Sequence, residues 1–233
     1  MTYEAGPLPS GEAVRVGRQT SRVRVKARRN EISVAKLVFD KAFAAAALLM
    51  LAPIMLAIAI ANRLGDKGPV FYKHMRIGQN GKPFYCVKFR SMRVDSAEVL
   101  EHLLATDPVA RAEWERDQKL SNDPRIHPVG KFLRKTSLDE LPQFWNVLKG
   151  DMSIVGPRPI ITDEAKRYGA HFADYCAVRP GITGAWQVGG RNLTSYDERV
   201  ALDVDYVRNA TLADDLRIVF KTFAVVLTQQ GAS

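Results

Sequence analysis

The chain has 233 residues, a formal net charge of +9 and two cysteines, Cys86 and Cys176, which lie far apart in the sequence. Two distant cysteines exclude a disulfide framework and a cysteine zinc site, and they indicate reduced thiols in a cytoplasmic domain. Setting aside a basic N-terminal segment and one apolar run leaves roughly 170 residues, which is enough for one compact domain.

Residues 1–30 are predicted to be a polar, basic tail without fixed structure. Residues 1–41 contain nine Lys or Arg and four Asp or Glu, so +5 of the net charge lies there. This charge suits adhesion to anionic membrane lipids, and the alternative is an arm that binds nucleic acid. Because a membrane segment follows directly, we expect lipid and no nucleic acid as the partner.

Residues 31–64 are predicted to be that membrane segment. The run from Ala42 to Ala61 has no polar residue and contains Pro53. A helix of this length covers about 30 Å, enough to cross a hydrocarbon core, but an interior proline kinks or breaks it. The segment is therefore either a kinked span or a helix–break–helix that re-enters and returns. Basic residues flank it on both sides, and a re-entrant path keeps both flanks on the cytoplasmic face.

Residues 65–233 are predicted to form a mixed α/β domain with a β-hairpin and several helices. The runs Val70–Ile77 and Pro83–Met92 flank Asn80-Gly81, which is a strong hairpin signal. The last predicted helix has a broad apolar face that packs on the core or lies in the membrane interface. Helices are predicted over residues 96–105, from Pro108, near 139–149, over 195–208 and over 212–229, with mostly loop over 150–192.

The most promising chemistry lies at Asp139 and Glu140, two adjacent acids at a predicted helix start, just after Arg134 and Lys135. Ser137 and Glu140 have the spacing of a capping box, and acids near a helix N-terminus stabilise its dipole, so a structural role explains both acids. The alternative is catalytic, because a helix N-terminus binds phosphate and a carboxylate can accept a phosphoryl group covalently.

Three basic elements accompany the acid pair. One is the Arg134 segment. In the second, Lys88 and Arg90 lie on the same face of a predicted strand. In the third, Arg158 stands between two prolines that fix its backbone, a setting that suits bidentate phosphate binding. Together these elements indicate a multiply charged anionic substrate such as a diphosphate.

Other nucleotide and metal motifs are weak or absent. The sequence has neither a Walker loop nor a G-x-G-x-x-G, so a nucleotide is not bound by those devices. Asp203-Val-Asp205 resembles the metal-binding D-x-D of many sugar transferases. In a helix its two carboxylates point about 200° apart, which indicates a solvated face instead.

Assembled, these residues resemble the bacterial sugar transferase family, the monotopic phosphoglycosyl transferases that prime exopolysaccharide and O-antigen synthesis. The resemblance covers residues from about Phe39 to Gln229. Within the family, the chain is most similar to undecaprenyl-phosphate galactose or glucose phosphotransferases of exopolysaccharide synthesis. Its motifs are the proline-broken helix, KFRSM (88–92), NDPRIHPVGKFLRKTSLDELPQFWNVLKGDMSIVGPRP (122–159) and RPGITGAWQVGGR (179–191).

The resemblance implies a catalytic domain on the cytoplasmic face of the bacterial inner membrane, held by a re-entrant helix with Pro53 at its turn. The family often has a serine before this proline, whereas this chain has Ala52, so another group must satisfy the freed backbone carbonyls. The family also allows a homodimer.

The resemblance implies a two-step reaction. Asp139 would attack the β-phosphate of UDP-galactose or UDP-glucose and release UMP, and undecaprenyl phosphate would then take the phosphosugar. Mg²⁺ held by Asp139 and Glu140 would neutralise the diphosphate, with Glu140 acting as a metal ligand or in proton handling. The remaining implied residues hold or steer phosphate: Lys88, Arg90, Arg134, Arg158 and Pro159. A membrane-attached scaffold or regulator built on an inactive transferase domain is the competing hypothesis, and it predicts a damaged acid pair or a damaged arginine turn.

Overall fold

The apolar run forms one long helix, α1 (Val34–Gly65), in a computed structural model that describes residues 34–117, 120–189 and 195–228. Among the described residues, α1 is the one helix long and apolar enough to cross a membrane. The helix continues through Pro53, so the predicted break does not interrupt it, and the re-entrant path stays a prediction. The predicted tail, residues 1–30, lies outside the described residues.

Helix α1 contacts the rest of the fold near both of its ends. Asp40 is fully buried and accepts hydrogen bonds from Ser153 Oγ (2.8 Å) and from the backbone N–H of Ile154 (3.1 Å). Asn62, also fully buried, donates from Nδ2 to the carbonyl of Arg90 (3.0 Å). Between these two anchors the helix exposes large apolar side chains: Leu49, Met50, Ile54, Leu56 and Ile60.

The elements that follow α1 are two short sheets and nine helices within the described ranges. In chain order they are β1 (Phe71–Ile77), β2 (Pro83–Phe89), α2 (Ser96–Thr106), α3 (Pro108–Asp117), α4 (Pro128–Thr136), α5 (Gln143–Lys149), β3 (Ser153–Val155), α6 (Thr162–Tyr168), α7 (Phe172–Ala177), β4 (Gly181–Thr183), α8 (Ala185–Gly189), α9 (Tyr196–Asn209) and α10 (Leu212–Thr228). The predicted hairpin is confirmed. The helices predicted over 96–105, from Pro108, over 195–208 and over 212–229 are confirmed as α2, α3, α9 and α10.

The prediction of mostly loop over 150–192 is wrong, because this stretch holds α6, α7, α8 and the parallel pair β3–β4. Three of its glycines, Gly156, Gly181 and Gly184, reflect close packing of backbones. A Cβ on Gly181 would lie 2.1 Å from the backbone nitrogen of Gly156, so only glycine allows these two segments to meet. A high glycine and proline content therefore marks a tight crossing here.

The hairpin β1–β2 brings charged side chains to one face. The strands are antiparallel, with Tyr72 opposite Lys88, His74 opposite Cys86 and Arg76 opposite Phe84. Because directly opposed residues share a face of the sheet, His74 and Arg76 lie on the same face as Lys88. A five-residue loop sets this register, and within it Asn80 has a φ of 58°.

Helix α10 has two apolar faces. Ile218 and Val219 are buried in the main core beside Val155, while Phe220 and Phe223 on the same helix are exposed. The predicted packing of this helix on the core is confirmed. The contact of its exposed apolar face with the membrane interface stays a prediction.

Candidate active site

Asp139 and Glu140 lie in a single turn of 3₁₀ helix, Leu138–Glu140, between α4 and α5. Ser137, which precedes the turn, has a left-handed φ of 58°, and this conformation ends α4 and redirects the chain. A residue other than glycine with positive φ is uncommon and is held by its surroundings. Helix α5 begins only at Gln143, so the acids precede that helix rather than lying in its first turn.

Lys88 joins the two acids to the hairpin. Its Nζ donates to Glu140 Oε1 at 2.5 Å and lies 3.9 Å from Asp139 Oδ2. The predicted capping box between Ser137 and Glu140 is wrong, because the Ser137 side chain makes no capping hydrogen bond and Glu140 pairs with Lys88. Helix capping therefore does not explain the two acids. The structure shows instead that both acids lie close to the same lysine, Lys88.

Asp139 has an unusual protonation equilibrium. Burial raises the pKa of its carboxyl group to about 6, and the negative charge of Glu140 also raises it, while Lys88 and Arg134 lower it. With a pKa near 6, most molecules carry the carboxylate at pH 7. That carboxylate is more basic than an ordinary aspartate and poorly solvated, which are properties of a reactive nucleophile.

Asn146 fixes the distance between Lys88 and the acid turn. Its side chain is buried, accepts from the backbone N–H of Val87 (3.0 Å) and donates to the carbonyl of Tyr85 (2.7 Å). These bonds pair α5, which directly follows the acids, with the strand that carries Lys88. Sequence reasoning missed this residue. The sequence signal that could have found it is an amide side chain among the apolar residues 144–148, because a polar group there needs hydrogen-bond partners.

Arg134 reaches the acid turn from α4. Its Nε donates to Ser91 Oγ at 2.9 Å, and its charge helps to lower the pKa of Asp139. Helix α4 packs tightly enough for this contact because of Gly130, where a Cβ would lie 1.9 Å from the carbonyl oxygen of Ser91. The structure thus brings Arg134 together with the acid pair, as the sequence predicts.

Arg90 is placed differently. Its guanidinium is buried, pairs with Asp66, and donates to the carbonyls of Pro69 (2.6 Å) and Met92 (3.0 Å). Strand β2 ends one residue earlier, so the predicted shared face with Lys88 does not extend to Arg90. These contacts favour a structural role in holding the turn after α1 over the predicted steering of substrate.

Arg158 and Pro159 lie beyond Lys88 along the hairpin. Arg76 donates from Nη1 to the carbonyl of Pro159 (3.2 Å). Burial lowers the pKa of Arg76 and raises that of Cys86, and the nearby charge of Arg158 acts on both groups in the lowering direction. Cys86 lies between Lys88 and Arg76 in the register, so the charge of Arg158, which acts on Cys86 and Arg76, is near this stretch of the hairpin. The result is a row of cations leading away from the acid pair.

His74 and Arg76 are site residues that sequence reasoning missed. Burial, Arg76 and Lys88 together lower the pKa of His74 to about 4, so the ring is neutral at pH 7 and its Nδ1 accepts from Arg76 Nη2 (3.1 Å). The signal was present in the sequence. A loop of five residues between the two strands places both side chains on the face of Lys88.

The donor set of the acid pair fits Mg²⁺. Asp139 and Glu140 offer adjacent carboxylate oxygens, and Mg²⁺ commonly takes one or two protein carboxylates and completes its shell with substrate phosphates and water. In the described residues no group of three or more His, Cys, Asp or Glu could hold a metal by itself. The fit is therefore to a metal that arrives with the diphosphate.

The Asp203-Val-Asp205 motif is not a second metal site. Asp203 is buried and accepts from the Tyr168 hydroxyl (2.7 Å), and burial raises the pKa of its carboxyl group to about 6. Asp205 is exposed and accepts from Asn209 (2.7 Å). The predicted solvated face is wrong for Asp203, but the two carboxylates diverge as the helical geometry predicts.

A cavity of about 570 Å³ near the C-terminal end of α1 does not contain the acid pair. Asp66, Arg93 and His127 are among its lining residues. The candidate active site is therefore assigned from the charged side chains that surround Asp139 and from its raised pKa, because the acid pair does not lie in this cavity.

The chain matches known proteins over most of its length. The family described as bacterial sugar transferase matches residues 31–229. An undecaprenyl-phosphate galactose phosphotransferase of Salmonella typhimurium is 54% identical over 84% of this chain and 41% of its own length. The exopolysaccharide production protein ExoY of Rhizobium meliloti is 48% identical over 85% of this chain and 88% of its own length.

A third relative carries glucose in its name. The UDP-glucose:undecaprenyl-phosphate glucose-1-phosphate transferase of Xanthomonas campestris is 41% identical over 88% of this chain and 41% of its own length. The chain thus spans about two-fifths of the Salmonella and Xanthomonas relatives and most of the length of the Rhizobium protein. With most of its length matched, the chain belongs to the bacterial sugar transferase family.

Proposed function

We propose that this chain transfers a sugar phosphate from UDP-galactose or UDP-glucose to undecaprenyl phosphate, the first membrane step of exopolysaccharide synthesis. One observation carries the proposal: Asp139, with its raised pKa, lies beside Glu140 and Lys88 in a chain of this family. The names of the relatives supply the two substrates.

In the first step the carboxylate of Asp139 attacks the β-phosphorus of the UDP-sugar. A bond forms between a carboxylate oxygen and phosphorus, the bond from phosphorus to the bridging oxygen breaks, and its electron pair leaves with UMP. Lys88 and Arg134 offset charge around the attacked phosphate, and Arg158 offsets charge on the departing one. The sugar phosphate remains on Asp139.

In the second step a phosphate oxygen of undecaprenyl phosphate attacks the same phosphorus. The bond from phosphorus to Asp139 breaks, which regenerates the carboxylate and releases undecaprenyl diphosphate sugar. Both nucleophiles are anions, so neither step requires a base. Glu140 keeps Lys88 in place beside Asp139. Bound at Asp139 and Glu140, Mg²⁺ would neutralise charge on the diphosphate.

The lipid substrate explains the long apolar helix. Both ends of α1 are anchored in the same domain, through Asp40 and Asn62, while Leu49, Met50 and Leu56 between them are exposed. This pattern supports a re-entrant helix whose middle enters the membrane from the cytoplasmic side and whose basic flanks contact anionic lipid. The acid pair then lies at the depth where a lipid-borne phosphate can reach it.

The nucleophile is tested by UMP release with the lipid acceptor withheld. We expect the unsubstituted protein to release about one UMP per active site. Asp139→Asn should lower this release by about 10³-fold or more, because the amide cannot attack phosphorus. Glu140→Gln should retain measurable release. The rate of the unsubstituted protein should fall as the pH drops through 6, because Asp139 becomes protonated.

Asp163→Asn, at an exposed aspartate, is the matched control and should leave the release unchanged. A full burst of UMP from Asp139→Asn would contradict the assignment of the nucleophile.

The raised pKa also predicts a stability effect. The pKa of Asp139 is near 6 in the folded state, whereas the ordinary value is 3.8. Above pH 6 the carboxylate is therefore less stable in the folded state than in the unfolded state, and it lowers the free energy of unfolding. We therefore expect Asp139→Asn to raise the free energy of unfolding at pH 8 by about 1 to 3 kcal/mol. The gain should vanish below pH 4, where the carboxyl group is protonated in both states. Urea unfolding in detergent micelles measures it, and lower stability of this variant at pH 8 would refute the electrostatic account.

The re-entrant path predicts that both ends of α1 face the cytoplasm. In a background with Cys86→Ala and Cys176→Ser, single cysteines are placed at the exposed positions Ala35 and Lys67. Both should react with a membrane-impermeant maleimide in inverted vesicles and neither in intact spheroplasts. A cysteine at Met50 is the control and should stay protected until detergent is added. Labelling of either end in spheroplasts would establish a spanning helix instead.

A further inference from the structure

A group of hydrogen-bond donors without partners lies at the far end of the cation row. Arg199 is nine-tenths buried, and its guanidinium carbon lies 4.7 Å from the ring centre of Trp186 and 5.0 Å from that of Tyr196. Within the described part of the chain, Arg199 Nε and Nη2, Trp186 Nε1 and the Tyr196 hydroxyl are buried and make no hydrogen bond. Unpartnered buried donors are costly, so this group indicates a ligand that brings acceptors.

Glu164 connects this group to the candidate active site. One of its carboxylate oxygens lies 3.6 Å from Arg76 Nη1, and the other lies 3.7 Å from Arg199 Nη1. Arg76 is four residues along β1 from Tyr72, the partner of Lys88, which corresponds to about 13 Å of strand. The donor group therefore continues the row that starts at the acid pair and passes Lys88, Arg158 and Arg76.

The direction of the substrate follows from the charges. In a phosphoryl transfer the attacking and leaving oxygens lie roughly in line, so the leaving group points away from the nucleophile. UMP carries the negative charge that develops as it leaves, and the cations beyond Lys88 are Arg158 and Arg76. The nucleotide half of the substrate would therefore extend from the acid pair along the hairpin toward Arg76, in the direction of Glu164 and Arg199.

We propose that Arg199, Trp186 and Tyr196, with Glu164, bind the nucleoside of the donor substrate. Uracil presents two carbonyl acceptors, which match the paired Nε and Nη2 donors of Arg199 and the indole N–H of Trp186. Glu164 is an acceptor for a ribose hydroxyl or for the uracil N–H. This inference rests on the proposed function, because it concerns the nucleotide that the reaction releases.

The partners have suitable protonation states. Burial raises the pKa of the Tyr196 hydroxyl, so at neutral pH it keeps its proton and can donate. An indole N–H is a donor only, and arginine has no acceptor. Both rings are partly exposed although their donor atoms are buried, so the donor group lies directly beneath the surface of the fold.

Equilibrium binding of UMP, measured by calorimetry on the full chain in lipid nanodiscs, tests the site. Trp186→Phe and Tyr196→Phe each remove one donor and keep the ring, and each should weaken UMP binding by about 3- to 10-fold. Arg199→Lys removes the paired donors and keeps the charge, and should weaken it by about 10-fold or more. Binding of inorganic phosphate, which has no nucleoside, should be unchanged in all three variants.

Trp145→Phe and Tyr85→Phe, at exposed rings, are the matched controls and should bind UMP normally. UMP binding as tight in the three variants as in the unsubstituted protein would overturn the nucleoside site alone. So would an equal loss of affinity for UMP and phosphate, because it would assign the effect to the phosphate-binding cations. Failure of the unsubstituted protein to bind UMP would instead contradict the proposed function itself.

Discussion

The site depends on one lysine shared unequally by two adjacent carboxylates. Lys88 is 2.5 Å from Glu140 and 3.9 Å from Asp139, so Glu140 takes most of its charge. Close pairing with Asp139 would stabilise that carboxylate and make it a weaker nucleophile. Without any cation nearby, burial and the charge of Glu140 would raise the pKa of Asp139 further and protonate it at neutral pH. The unequal distances are consistent with a carboxyl group that is mostly ionised at pH 7 while its pKa stays near 6.

Much of the surrounding fold maintains those distances. Asn146 ties α5 to the strand of Lys88, and the left-handed Ser137 sets the direction of the acid turn. The membrane helix joins the same framework, because Asn62 bonds the carbonyl of Arg90, two residues after Lys88. A displacement of α1 would therefore be transmitted to the lysine. Under the proposed function, this link gives a physical reason for a membrane anchor that packs on the catalytic domain rather than being attached by a linker.

The sequence predicted the features that local patterns encode. Asn80-Gly81 predicted the hairpin, and two adjacent acids near basic residues predicted the charged centre. The errors have a common cause in contacts between distant segments. Glu140 accepts a hydrogen bond from Lys88 instead of capping a helix, and Arg90 holds the turn after α1. Asn146 forms hydrogen bonds with Val87 and Tyr85, which lie 59 and 61 residues earlier in the chain. No local periodicity records such contacts.

The central claim is that Asp139 carries the sugar phosphate between the two steps. The most direct measurement is peptide mapping by mass spectrometry after incubation with UDP-galactose or UDP-glucose in the absence of undecaprenyl phosphate. Trypsin should release residues 136–149 as one peptide, because Lys135 and Lys149 bound it. We expect a hexose phosphate on Asp139 in that peptide, and we expect it to be lost when undecaprenyl phosphate is added. UMP release without any adduct, or an adduct on Glu140, would contradict it.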